Sequence, residues 1–175
     1  MMLLFPNILL NKVWHMTSID HLKNIYSEGF IYVNPVDDLL MHDRWGNFAV
    51  ESGKTYVQSI DGISVFDLIN FNYFDYLEKI DPPRNAVENI VRSRLVDGGC
   101  IWINVDIDGI NFIDRNSLYT KWSEDIKSEM NLQFLPGLEA AIIENIPVHK
   151  IKELYLYEKI SDSYKKIDIN YLLDW

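Results

Sequence analysis

Apolar positions along the chain switch between two periods, and the switches mark the elements. Val13-Trp14-His15-Met16 reads as a short strand. Ile19, Leu22, Ile25 and Tyr26 then recur at helical spacing, with Thr17 or Ser18 placed to cap the first turn and Gly29 to end the last. Residues 30–33 read as another short strand, stopped by Asn34-Pro35. Residues 36–47 are polar and mixed, a loop pattern. Residues 55–60 and 63–68 are strand-like, and Asp61-Gly62 between them predicts a hairpin. Residues 70–81 are aromatic and acidic, which suits a loop or short helix over the core.

Asp81-Pro82-Pro83 predicts a helix start, with Val87, Ile90, Val91 and Leu95 on one face and Gly98-Gly99 as the stop. Ile101, Ile103 and Val105 alternate with Trp102, Asn104 and Asp106, as in a half-buried strand. Asp108-Gly109 predicts a second turn, into residues 110–113. Leu118, Trp122, Ile126 and Met130 mark an amphipathic helix. After Pro136-Gly137, residues 140–143 read as a buried strand with Glu139 at its mouth. A turn at Pro147 and a last strand over residues 151–157 follow. The mixed tail from Ser161 suits a helix folding back to cover Tyr171, Leu172 and Trp175. Short antiparallel strands with two or three helices make an α+β pattern, and no repeat or linker divides it, so residues 1–175 read as a single domain.

Composition narrows the function classes. The net charge is −10, so the overall field repels phosphate and argues against tight nonspecific nucleic-acid binding, although Arg84, Arg92 and Arg94 cluster locally. The lone cysteine, Cys100, excludes an intrachain disulfide and fits a reducing, cytoplasmic setting; it reads as a small buried residue. The apolar start, residues 1–10, lacks a basic leader and a cleavage site, so it does not read as a signal peptide. No run approaches the roughly 18 apolar residues of a membrane span.

Few motifs survive inspection. Asp37, Asp38, His42 and Asp43 match no metal-ligand spacing. Asp106, Asp108 and Asn111 imitate part of a calcium loop, but Gly109 is misplaced and Ser117 stands where the closing glutamate belongs. No metal site is expected. There is no glycine-rich phosphate loop, nucleophile elbow or His-Glu-x-x-His, which argues against an NTPase. His15 and Thr17, at a strand end, suit small-molecule binding, or they are a packed histidine and a helix cap. Glu139 either faces solvent at a strand start or is held at the rim of a cleft; Glu144, at a strand exit, reads as exposed.

Together these residues resemble a known family. The stretch from Trp14 to Gly29 is similar to the opening of the ADP-ribosyltransferase-like families: a strand bearing His-x-Thr, then a helix ending at glycine. The pattern is nearest the DarT-type DNA ADP-ribosyltransferase toxins, with tRNA 2′-phosphotransferases further away. Those toxins also carry a glutamate opening an apolar strand, with a proline eight positions on and then a final strand, as Glu139, Pro147 and residues 151–157 do here. The resemblance covers about the first thirty residues and residues 137–158; the middle agrees in order of elements but not in side chains.

The resemblance implies two small packed, mostly antiparallel sheets that split around a bound NAD, which is substrate rather than resident cofactor. His15 and Thr17 would then hold the dinucleotide, Tyr56 or Phe66 would stack on nicotinamide, and Arg44 would serve the phosphates. Glu139 would be catalytic, an anion beside the positive charge that develops as nicotinamide leaves. The implied activity is transfer of ADP-ribose to a macromolecular acceptor, protein or nucleic acid, by a bacterial or phage toxin or effector. The alternative is a catalytically silent binding or immunity protein whose acidity suits a basic partner. The segment from Phe71 to Asp81 is a candidate target-recognition loop or a lid on the core.

Overall fold

A computed structural model describes residues 5–33, 55–79, 100–126, 134–158 and 161–170. A 3₁₀ turn at Asn7–Leu9 leads into β1 (Val13–Thr17), and α1 (Ile19–Glu28) follows immediately. Ser18 caps α1, its hydroxyl accepting from the His21 N–H at 3.2 Å, and Gly29 ends it in the left-handed region at φ 84°. Of the two expected caps Ser18 takes the role, so Thr17 remains a strand residue opposite Ile101.

The remaining described elements are β2 (Phe30–Ile31), α2 (Tyr56–Ser59), β3 (Ile63–Asp67), α3 (Tyr73–Lys79), β4 (Cys100–Val105), β5 (Phe112–Ile113), α4 (Arg115–Ile126), β6 (Glu139–Ile142), β7 (Ile146–Pro147), β8 (Ile151–Glu158) and β9 (Ser163–Ile167). Seven strands form one sheet in the order β5-β6-β3-β1-β4-β8-β9, and β2 pairs with β7 separately; every pairing is antiparallel. The α+β class is as expected. No helix among the described residues is long and apolar enough to cross a membrane.

The seven-stranded sheet is nearly two sheets. β1 meets β3 only at Val13↔Asp67 and Trp14↔Phe66, whereas it follows β4 along its whole length. Likewise β3 follows β6 over four residue pairs, from Ile63↔Ile142 to Phe66↔Glu139. A group β5-β6-β3 therefore joins a group β1-β4-β8-β9 through a short seam, and the paired register of β1 and β3 ends at Trp14.

Strand alternation sorts the core into two faces. Val13, Val65, Ile101, Ile103, Ala140 and Ile142 meet α1 through Leu22 and Ile25. Trp14, Phe66, Trp102 and Leu138 form the other cluster with Phe5 and Leu9. There Trp102 stacks on Phe66 at 5.5 Å and meets Trp14 edge-on at 6.2 Å, geometries that aromatic quadrupoles favour. The Trp14 indole N–H donates to the Leu9 carbonyl at 2.7 Å, which satisfies its one polar atom.

Several local expectations change. Residues 56–59 are one helical turn, not the first strand of a hairpin: Thr55 and Gln58 form a reciprocal capping box, and two backbone donors satisfied at once outweigh the β preference of Tyr56 and Val57. Strand β4 is buried at all six positions because strands flank it and clusters cover both faces; Asn104 is accommodated by donating to the Val13 carbonyl at 3.2 Å. Residues 112–113 pair with β6, not back onto β4. Pro147 lies in β7, and the turn comes after it, at Val148–Lys150. Within the tail, Ser163–Ile167 form β9, which pairs with β8 and adds Lys165–Glu158 and Lys166–Glu153 ion pairs at 2.8 Å; residues 169–170 are helical, and Tyr171, Leu172 and Trp175 lie outside the described residues. Cys100 is buried, as expected. The loop of residues 36–47, the helix over residues 81–95 and Met130 lie outside the described residues.

Candidate active site at the sheet seam

Glu139 opens β6 directly after a tight turn. Gly137 takes φ 71° there, a left-handed value open to glycine at little cost. The turn is closed by the Leu138 and Glu139 N–H groups, which donate to the Leu135 carbonyl at 3.2 and 3.0 Å. It also turns the Leu135 N–H toward the Glu139 carboxylate, where it donates to Oε2 at 3.0 Å. The Ser64 hydroxyl donates to Oε1. Glu139 is 0% exposed, so the reading of a solvent-facing strand start is excluded. A carboxylate removed from water costs several kcal/mol unless donors replace its hydration, and a hydroxyl and a backbone amide do so here.

Ser64 reaches Glu139 along a diagonal. It lies opposite Ala141, two residues along β6 from Glu139, and alternation puts Ser64, Phe66, Glu139 and Ala141 on one face. Its backbone faces the seam. In a continuous ladder the pair after Trp14↔Phe66 that points the same way is Met16 with Ser64, and the register stops before it. The Ser64 carbonyl is met by His15 Nδ1 instead, at 3.0 Å. Since a carbonyl only accepts, Nδ1 carries the hydrogen in this contact. An imidazole thus stands in for a ladder hydrogen bond where the sheet divides, and one residue, Ser64, links His15 to Glu139.

The other expected residues are less gathered. Thr17 lies two positions beyond His15 on β1 and is half-buried. Tyr56 is 2% exposed, and its hydroxyl donates to Asp125 Oδ2 at 2.7 Å. Its ring packs with Val57, Leu118 and Ala141 and meets Phe134 edge-on at 5.8 Å. Burial first, and then the Asp125 carboxylate, push its phenol far above the ordinary range. Phe66, the other candidate for stacking, lies directly opposite Glu139 across β3 and β6 and is stacked on Trp102. Arg44 lies outside the described residues. Glu144 is exposed, as expected, and accepts from the Asn111 N–H.

Two further polar residues serve the fold, of which Arg115 was not singled out in advance. Arg115 donates to the Asp67 and Ile69 carbonyls at 2.8 and 2.7 Å and pairs with the buried Asp67 carboxylate at 3.4 Å, which fixes the exit of β3. These bonds commit its guanidinium to the fold. Asp106, from the discarded calcium-like motif, pairs with Lys152 at 2.8 Å. Among the described residues no group of His, Cys, Asp and Glu is arranged to hold a metal ion.

The fold and this site define an α+β chain with an antiparallel sheet that has a short seam and a buried, hydrogen-bonded carboxylate beside it. No protein-family model matches the chain, and no curated protein does. Among solved structures it is similar to Thermus sp. 2.9 DarT in complex with carba-NAD+, with 13% identity, a TM-score of 0.42, and 89% of this chain and 86% of that one covered. A likeness that loose assigns no chemistry.

Proposed function

We propose that this chain is an NAD-dependent ADP-ribosyltransferase whose reacting centre is Glu139. The observation that carries the reading is that Ser64 contacts both candidate residues, its carbonyl meeting His15 and its hydroxyl donating to Glu139. NAD, when bound, supplies a glycosidic bond that breaks with its electrons leaving on neutral nicotinamide, while an acceptor nucleophile bonds to the ribose and loses its proton to solvent. The chain's part is electrostatic. Glu139 offers a fixed anion for the positive charge that develops on the ribose, held by donors that need no rearrangement as the charge appears. In this reading His15 and Thr17 contact the dinucleotide, Tyr56 or Phe66, both now buried, is uncovered to stack on nicotinamide, and Arg44 takes the phosphates. The donor set fits this task, with one consequence: since Glu139 is fully covered, the groups above it must move before a dinucleotide reaches it.

The acceptor is a macromolecule, protein or nucleic acid, and the setting a bacterial or phage toxin or effector. At a net charge of −10 a basic protein is favoured electrostatically over nucleic acid. The test is release of nicotinamide from NAD, with transfer of label from the adenylate moiety into separate protein, DNA and RNA pools. No release in any pool would overturn the reading. The burial of Glu139, with hydrogen bonds to both oxygens, favours one rival, a silent fold that binds a basic partner. That rival predicts partner binding without nicotinamide release.

A further inference from the structure

The tetrapeptide Ile-Asp-Gly-Ile occurs twice, at residues 60–63 and 107–110, and the fold gives its two copies opposite surroundings. In the first copy Gly62 is buried against α2. Its N–H donates to the Val57 carbonyl at 2.9 Å, and a Cβ at this position would lie 2.9 Å from Val57 Cγ1. In the second copy Asp108 and Gly109 are both exposed, in the turn that follows β4. Among the described residues no backbone carbonyl accepts the Gly109 N–H, and beyond its chain neighbours nothing lies within 4 Å of where a Cβ would stand. The Lys150 ammonium donates to the Asp108 carbonyl. Lys150 is itself tied to this turn, since its own carbonyl accepts from the Asp106 N–H at 2.8 Å.

An aspartate followed by glycine can react with its own main chain. The glycine nitrogen gives its proton to solvent and bonds to the aspartate Cγ. The side-chain hydroxyl leaves with a proton as water, and a five-membered imide closes. Water then opens the ring at either carbonyl. Addition at Cγ restores aspartate; addition at the main-chain carbonyl leaves the nitrogen on Cγ, which is isoaspartate. One water is lost and one is regained, so no oxidant or other reactant is needed. Two features set the rate. The peptide must turn so that its nitrogen faces Cγ, which a glycine without a Cβ permits. As the proton leaves, amide resonance spreads negative charge onto the preceding carbonyl oxygen, and a cation on that oxygen favours the charged form. Lys150 supplies that cation at Asp108. At Gly62 the Val57 carbonyl holds the proton instead, and packing against α2 resists the turn of the peptide.

We propose that Asp108-Gly109 is a site of self-modification, which forms isoaspartate in the folded protein with Lys150 promoting ring closure, while the fold protects the identical Asp61-Gly62. The proposal is independent of any activity on NAD. Its product carries an extra methylene in the main chain between β4 and β5.

The experiment incubates the folded chain, the chain in urea and the Lys150→Met and Asp108→Glu variants. Samples are digested, and isoaspartate is located by peptide separation and by labelling with an isoaspartate-specific carboxyl methyltransferase and methyl-labelled S-adenosylmethionine. In the folded chain isoaspartate should accumulate at Asp108 about tenfold or more faster than at Asp61, since the Gly62 hydrogen bond must open first. In urea the two sites should react at equal rates, because their local sequences are the same. Lys150→Met should slow the Asp108 site by about twofold to fivefold, the range of an exposed ionic contact, and leave Asp61 unchanged. Asp108→Glu, which would need a larger ring, should abolish the signal from that turn. Equal accumulation at both sites in the folded chain, or a difference that persists in urea, would overturn the proposal. An Asp108 rate that Lys150→Met leaves unchanged would overturn the part given to Lys150.

Discussion

Replacing Glu139 by glutamine separates the charge of the site from its fold. The carboxylate is 0% exposed and accepts one bond from the Ser64 hydroxyl and one from the Leu135 N–H. Glutamine has nearly the same shape. Its carbonyl oxygen can still accept from the Leu135 N–H, which only donates, and its amide can donate to Ser64, whose hydroxyl can turn and accept. These two contacts can survive while the charge is lost. The loss of charge-assisted bonding costs about 1 kcal/mol or somewhat more. It is offset by relief from burying an ion, which costs several kcal/mol before compensation. The net change in stability should lie within about 1 kcal/mol of zero, or roughly 2–4 °C in Tm for a chain of this size. Turnover should respond quite differently. Loss of one electrostatic element from a preorganised site typically costs about 10²–10³-fold in kcat, and the reacting anion should cost at least that. The assay pairs thermal melting with nicotinamide release. A variant that melts with the parent and still releases nicotinamide within about threefold of it would refute the reasoning, because a difference that small is under 1 kcal/mol of barrier.

Three other outcomes test the structure around the site. Ser18→Ala removes the hydroxyl that accepts from the His21 N–H at 3.2 Å, and should cost about 1 kcal/mol of stability, read as a lower urea midpoint with unchanged slope. Gly62→Ala would place a Cβ 2.9 Å from Val57 Cγ1 and 3.1 Å from the Val57 carbonyl oxygen. It should cost about 1–3 kcal/mol by overpacking, whereas an unchanged melting temperature would show that α2 and β3 do not approach so closely. At alkaline pH the buried tyrosines should undermine the fold. Burial raises Tyr76 from 10.0 to about 12 and raises Tyr56 and Tyr164 further. A folded state that holds protons more tightly than the unfolded chain loses stability as pH rises above about 10. Phenolate absorbance from these three residues should then appear together with loss of near-ultraviolet circular dichroism, not before it.

What the sequence made legible, and what it hid, divides by the range of the interactions. Local rules found α1 almost complete, because Ser18, the helical spacing and Gly29 all act within one segment. They also found the start of β6, because Gly137 and the apolar run sit next to each other. Where two local rules competed, the choice failed. Thr55 and Gln58 spelled a capping box, but Tyr56 and Val57 read as strand, and only the folded chain shows the box prevailing. The strand Ser163–Ile167 was missed for another reason: it has little periodicity of its own and becomes a strand because the edge of β8 offers it partners. The burial of Glu139 lay furthest from reach. Nothing near it in the chain distinguishes a rim carboxylate from a covered one, since the distinction is made by Ser64 on another strand, through a diagonal that exists only once β3 and β6 are in register.

That same dependence bears on function. His15 and Glu139 were each ambiguous on local grounds, a packed histidine or a ligand, an exposed carboxylate or a reacting one. One feature bears on the surroundings of both, the early end of the β1–β3 ladder. Had those strands stayed paired beyond Trp14, the Ser64 carbonyl would have met the Met16 amide and His15 would have had no part at the seam. The ladder ends instead, and the backbone acceptor it exposes is met by an imidazole, while the hydroxyl of the same residue holds a buried anion. A purely structural seam could satisfy that carbonyl with any donor, and it would gain nothing from an ionisable group buried beside it, which costs more than an apolar one of equal volume. The proposal of chemistry on a ligand rests on that carboxylate, with donors on both oxygens, and it loses its ground if Glu139→Gln leaves nicotinamide release unchanged.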